Sequence, residues 1–118
     1  MIAAFAFTLA ATTATQLGIT PWTGKVPPTV TSAATKYHLT VSGKPNATLT
    51  LRVTHLAKGW LGAFCTPTVC SPESVDVTLS DSGHATYAFE LIREDDKAPK
   101  HTAATIESSD GATLSNAP

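Results

Sequence analysis

No run of basic residues occurs anywhere in this chain, and no two of its eight Lys and Arg are adjacent. Against nine Asp and Glu they leave a formal net charge of -1. The electrostatic footprint of a nucleic-acid binder is therefore missing. Charge of either sign is scarce, at 14% of residues, where soluble domains usually carry about a quarter. Methionine is absent beyond Met1, and no segment after the N-terminal stretch carries a helical stripe of apolar residues. Internal repeats are also lacking. Thr, Ser and Ala take the place of the missing charges, and Thr suits the pleated, half-buried surface of a strand. A chain of 118 residues has room for one domain with one modest core. The composition predicts an all-β domain working outside the cytoplasm.

The first sixteen residues, MIAAFAFTLAATTATQ, admit three readings. Their small apolar composition resembles a secretory signal, yet the first basic residue is Lys25 and a signal needs a positive start. They are short for a membrane anchor, which takes roughly 20 apolar residues. Phe5, Phe7, Leu9 and Ala11 alternate with Ala6, Thr8, Ala10 and Thr12, which is the period of a strand. Anchor, donor strand and signal all stay open. Just beyond, Trp22 lies where an interfacial aromatic belongs if the segment is an anchor. Otherwise it is expected to be an exposed contact for a protein partner, with packing against the sandwich as the remaining reading. Phe5, Phe7, Leu9 and Trp22 are accordingly the candidate partner or membrane contacts.

Residues 17–28, LGITPWTGKVPP, read as a linker or irregular edge, because Pro27-Pro28 excludes both helix and central strand. Alternating segments follow over 29–108. The inward sets are Tyr37, Leu39 and Val41; then Leu49, Leu51 and Val53; then Val75, Val77 and Leu79; then Ala85, Tyr87, Phe89 and Leu91. His55 closes the second inward series, and Trp60 reads as core within GWLGAFC. SGKPN and DSG mark turns, REDDKAPK is a polar loop, and HTAATIES is a last strand. The tail, 109–118, is expected to be loose. Some six short strands at close turn spacing predict an antiparallel β-sandwich rather than a parallel sheet.

Both cysteines lie in GWLGAFCTPTVCSP, with four residues between them. A structural zinc site wants four ligands, commonly as two close pairs. Here there is one pair, and His38, His55, His84 and His101 are scattered singly. A blue-copper site needs two His near one Cys, and a thioredoxin-type pair has two residues between its cysteines. Cys65 and Cys70 instead enclose Thr-Pro-Thr-Val, with Pro67 placed to turn the chain. If the flanking strands form a hairpin, a disulfide fits there. The ligand arithmetic favours a disulfide over metal or redox use, and with it an oxidising compartment.

Gly59 through Cys65, the short Thr/Pro loop, Cys70-Ser71-Pro72 and SVDVTLSDSGHATYAFELI together resemble immunoglobulin-like sandwich modules of bacterial envelope and secreted proteins. The resemblance spans roughly residues 30 to 108 and lies in the pattern: a Trp strand, a short-loop disulfide, a strand, a Gly turn and a long apolar strand. It departs from antibody domains, whose disulfide joins the two sheets. It implies architecture, with binding or scaffolding as the usual use.

No enzyme constellation emerges. The histidines read as surface or satisfied residues, Ser71, Ser74 and Ser80 lack a companion base, and no GxSxG elbow is present. Glu94-Asp95-Asp96 lacks the spaced Asp/Asn-Gly pattern of a calcium loop and reads as a solvated turn. Asn46-Ala47-Thr48 fits a glycosylation acceptor. The expected role is a non-enzymatic structural or protein-binding subunit of an extracytoplasmic or membrane-associated assembly. No cofactor, metal or nucleic acid is expected. Its partners are subunits of a membrane complex or copies of the chain itself, with membrane contact through the N-terminal segment. Two alternatives stand beside it: a self-assembling filament subunit using residues 2–16 as a donor strand, and a secreted ligand-binding module, for example for glycan.

Overall fold

The computed structural model describes residues 14–24 and 34–115, and these form an all-β antiparallel sandwich. Nine strands run in chain order among the described residues. They are β1 (Gln16–Pro21), β2 (Thr35–Ser42), β3 (Thr48–Thr54), β4 (Trp60–Cys65), β5 (Cys70–Pro72), β6 (Ser74–Thr78), β7 (His84–Arg93), β8 (Thr105–Ser108) and β9 (Thr113–Ser115). One sheet has the order β1-β2-β7-β4-β5 and the other β6-β3-β8-β9, with every adjacent pair antiparallel.

The core follows the period of two. Leu39 and Val41, Leu49, Leu51 and Val53, Val77 and Leu79, and Phe89 and Leu91 are buried between the sheets. Phe64 on β4 and Phe89 on β7 are register partners, with ring centroids 5.4 Å apart. Each such side chain withdrawn from water contributes about 1.5–3 kcal/mol before conformational entropy is subtracted. Trp60, expected in the core, is half-buried against it and donates its Nε1 hydrogen to the Pro99 carbonyl at 2.8 Å.

Two segments expected outside the sandwich are strands of it. Gln16–Pro21 pairs along its whole length with β2, and Leu17 and Ile19 pack on the core. Its proline is the last strand residue on a sheet edge, where a missing N–H disrupts no ladder. Thr113–Ser115 pairs with β8, and Leu114 packs inward. The sandwich thus runs from Gln16 to Ser115. His55 is exposed rather than inward, because its φ of 63° ends β3 and turns the side chain away. Phe5, Phe7, Leu9 and Pro27-Pro28 lie outside the described residues, as does most of the 2–16 segment. Among the described residues no helix is long and apolar enough to cross a membrane.

One residue carries the chain from sheet to sheet. Glu73, between β5 and β6, has a φ of 68°. Its N–H donates to the Gly62 carbonyl on β4 at 2.8 Å, while its own carbonyl accepts the Val53 N–H on β3 at 3.0 Å. The sheets touch closely here. A Cβ on Gly62 would stand 2.7 Å from Val53 Cγ1, so only glycine fits. The turn before β7 likewise needs Gly83, at φ 81°, packed against the Gly43 carbonyl.

Candidate functional site

The two outer faces of the sandwich differ. The four-stranded sheet shows water a polar face, with Thr50 Oγ1 donating to Asp76 Oδ1 at 2.9 Å and Thr54 Oγ1 to Glu107 Oε2 at 3.1 Å. A shallow depression of about 210 Å³ lies there, lined by Thr50, Arg52, Glu107, Ser108 and Ser109. No aromatic ring lines it, so it lacks the stacking surface on which a sugar ring binds.

The five-stranded sheet is buried on both faces around β4 and the second half of β7, while Thr40 and Thr86 on its outer side are exposed. On its outer side Ala63, Cys65, Ala88, Glu90 and Ile92 are all buried. Their positions follow from register. Lys36, Glu90 and Ala63 form one cross-strand row, and His38, Ala88 and Cys65 form the next, ending on Cys70. Glu90 itself has 0% exposure. A buried carboxylate is costly unless its oxygens are satisfied. Among the described residues no buried side-chain nitrogen or oxygen lacks a hydrogen-bond partner.

Cys65 and Cys70 are opposed on β4 and β5 and form the disulfide expected of them. Glu90 Oε2 lies 3.4 Å from Cys65 Sγ. An oxidised sulfur has no proton to give, so this is an electrostatic and van der Waals contact rather than a hydrogen bond. Beyond the disulfide the hairpin tip is held by its own polar groups. The Thr66 N–H donates to the Val69 carbonyl at 2.8 Å, and Thr66 Oγ1 accepts the Val69 N–H at 3.2 Å. Pro67 pre-sets the backbone at the first central position of the turn. Val69 stands out from this tip at 56% exposure, the one large exposed hydrophobic among the described residues.

Trp22 lies across the same outer face, half-buried and stacked on His38 with ring centroids 4.1 Å apart. His38 Nε2 accepts the Thr23 N–H at 3.0 Å. Trp22 therefore packs one side of its ring on the sandwich. His38, His55, His84 and His101 are not brought together. Ser80 Oγ accepts the His84 N–H at 3.2 Å and meets Ser82 Oγ at 3.0 Å, a turn cap without a base. In the 93–100 loop Asp95 Oδ1 accepts the Lys97 N–H at 2.9 Å, and Arg93 donates to the carbonyls of Asp96 and Ala98. Asn46 is exposed in its turn at φ 62°.

At the opposite edge Asp110 accepts hydrogen bonds from Ser108 Oγ and Thr15 Oγ1. These two hydroxyls, Ser108 foremost, hold its carboxyl below the usual carboxylate range. The contact ties the start of β1 to the β8–β9 turn.

Reading the sequence alone missed Glu90 and Val69. For Glu90 a signal was present, because Ala88 to Ile92 breaks strict alternation, and a strand buried on both faces loses that period. Searches of protein-family models, of curated proteins and of solved structures each find no match to this chain.

Proposed function

We propose that this chain is a non-enzymatic, immunoglobulin-like protein-binding module of an extracytoplasmic assembly, and that it meets its partner with the β4–β5 hairpin tip. The observation that carries this reading is the exposed Val69 on a loop clamped by the Cys65–Cys70 disulfide. Closing so short a loop stabilises the fold by about 2 kcal/mol, the low end for disulfides. Its larger effect is local: a loop held in one shape loses less entropy on binding. An apolar side chain presented on such a loop is an anchor for a complementary pocket. The disulfide also fits an oxidising compartment.

Strand order supports the immunoglobulin-like part. β1-β2-β7 and β3-β8-β9 take the places of strands A-B-E and C-F-G of such sandwiches. The chain departs from that plan after β3, since β4 pairs beside β7 before β6 returns beside β3.

The test is site-specific photocrosslinking in the native host, with the probe at position 69 or at position 52 on the opposite face. A discrete adduct at 69 alone supports the reading. Val69→Asp should then weaken binding of the purified partner on the order of tenfold or more, as loss of a buried anchor does. Equal adducts at both positions, or full affinity in Val69→Asp, would sink it.

A further inference from the structure

We propose that Cys65, Cys70 and Glu90 form a latent site for zinc, opened when the disulfide is reduced. The inference stands on this cluster, whatever the hairpin tip binds. One ligand atom from each of the three residues lies within 4.8 Å of the other two. The donors come from three adjacent strands: Cys70 on β5, Cys65 on β4 and Glu90 on β7. Their placement is set by sheet register rather than by a loop, which is what a preorganised ligand set requires.

The donor chemistry suits a thiophilic divalent cation. Zinc takes thiolates at about 2.3 Å and carboxylates at about 2.0–2.2 Å, in a tetrahedron. Those bond lengths set neighbouring ligand atoms about 3.5–3.8 Å apart. Glu90 Oε2 already sits 3.4 Å from Cys65 Sγ, so only the two sulfurs need to separate. A carboxylate is an ordinary third ligand to a metal held by two thiolates. Cys70 is half-buried on the edge strand β5, and a fourth ligand would have to come from outside these three residues. His38 shares the Cys65 row but lies two strands away, about 10 Å at the usual strand spacing, and is too far to serve.

The reaction balances. A dithiol reductant gives two electrons and two protons to the Cys65–Cys70 bond and becomes a disulfide itself. Zinc then releases both thiol protons to solvent as the thiolates bind it. Two thiolates and one carboxylate leave a net charge of -1 on the complex. Lys36 is the register partner of Glu90 on the same face, and its Nζ donates to the Ala34 carbonyl at 3.3 Å. The hairpin thus has two closed states, covalent when oxidised and metal-bridged when reduced.

The test uses the full chain, oxidised or reduced, titrated with Co²⁺ and then Zn²⁺. The reduced protein should develop thiolate-to-cobalt charge-transfer bands saturating at one equivalent and bleached by Zn²⁺, while the oxidised protein shows none. Glu90→Gln should keep those bands and lower affinity on the order of tenfold or more, as loss of one ligand does. Its circular dichroism in the oxidised form checks that it folds. If the reduced protein is unfolded, recovery of the sheet signal on adding Zn²⁺ supports the site, and failure to recover it overturns the site. Absence of the bands in reduced, folded protein overturns it too. So does undiminished affinity in Glu90→Gln, or equal binding by the oxidised form.

Discussion

The backbone N–H of Glu73 donates to the carbonyl of Gly62 at the point where the chain leaves one sheet for the other. With the Val53 N–H donating to the Glu73 carbonyl, it links the two sheets where Gly62 and Val53 nearly touch. Gly62→Ala would set its Cβ 2.7 Å from Val53 Cγ1, and a β-branched neighbour has little rotamer freedom to yield. The expected loss is about 1–3 kcal/mol in urea denaturation. Val53→Ala in the same chain should recover part of it, since contacting sites are not additive. At Glu73 the φ of 68° is one glycine adopts freely. Glu73→Gly should stay within about 1 kcal/mol of the parent, and Glu73→Val should fall below it.

Burial of only one part of the outer face of the five-stranded sheet makes a second prediction. Ile92 is buried on the outer side and Thr86, on the same strand and face, is exposed. Ile92→Ala should cost about 2 kcal/mol or more and Thr86→Ala less than about 0.5 kcal/mol. If the two cost the same small amount by chemical denaturation, the outer face is as wet as that of the opposite sheet. Phe89→Ala, inside the sandwich, should exceed both at about 3–5 kcal/mol.

The inward face of the sandwich was legible because one side of each strand is dry and period two survives, as in Leu49, Leu51 and Val53. β1 and β9 escaped because Gly18 and Pro21 carry weak strand propensity and Thr113–Ser115 is too short to show a period, and edge pairing with β2 and β8 supplies what the local sequence does not. The sheet change at Glu73 has no local marker beyond Pro72, since it depends on where β3 and β4 lie. The cysteine pair was readable from spacing. Its carboxylate neighbour was not, because Glu90 is twenty-five residues from Cys65 and only the β4–β7 register brings them together.

Asp110 gives the pH dependence a sign. Its carboxyl titrates below the ordinary value of 3.8 because Ser108 and Thr15 donate to the ionised form. Below 3.8 the unfolded chain binds more protons than the folded one, so stability rises with pH through this window. The contribution is fully present above 3.8 and is lost as pH falls through the lower, folded value. Asp110 is largely exposed, so the effect is small. Asp110→Asn should flatten the acid limb of melting temperature against pH between about pH 4 and 2. Above pH 5 the variant should run parallel to the parent. An unchanged acid limb would show that the Thr15 and Ser108 contacts do not hold the charge.

The disulfide separates global from local stability. Cys65→Ser with Cys70→Ser should cost about 2 kcal/mol, the entropy of a short closed loop, and leave the sheet signal intact. The larger change belongs at the tip. The Val69 N–H is held by Thr66 Oγ1 and the Thr66 N–H by the Val69 carbonyl, both within the turn that the disulfide closes. Hydrogen exchange at these two amides should rise well beyond the factor of about 30 that 2 kcal/mol of global destabilisation produces. Amides of β3 and β7, whose partners lie in the sandwich interior, should rise by that factor alone. A uniform rise across the whole sandwich would mean that the bond acts only through the unfolded chain, and the preorganised tip would lose its physical basis.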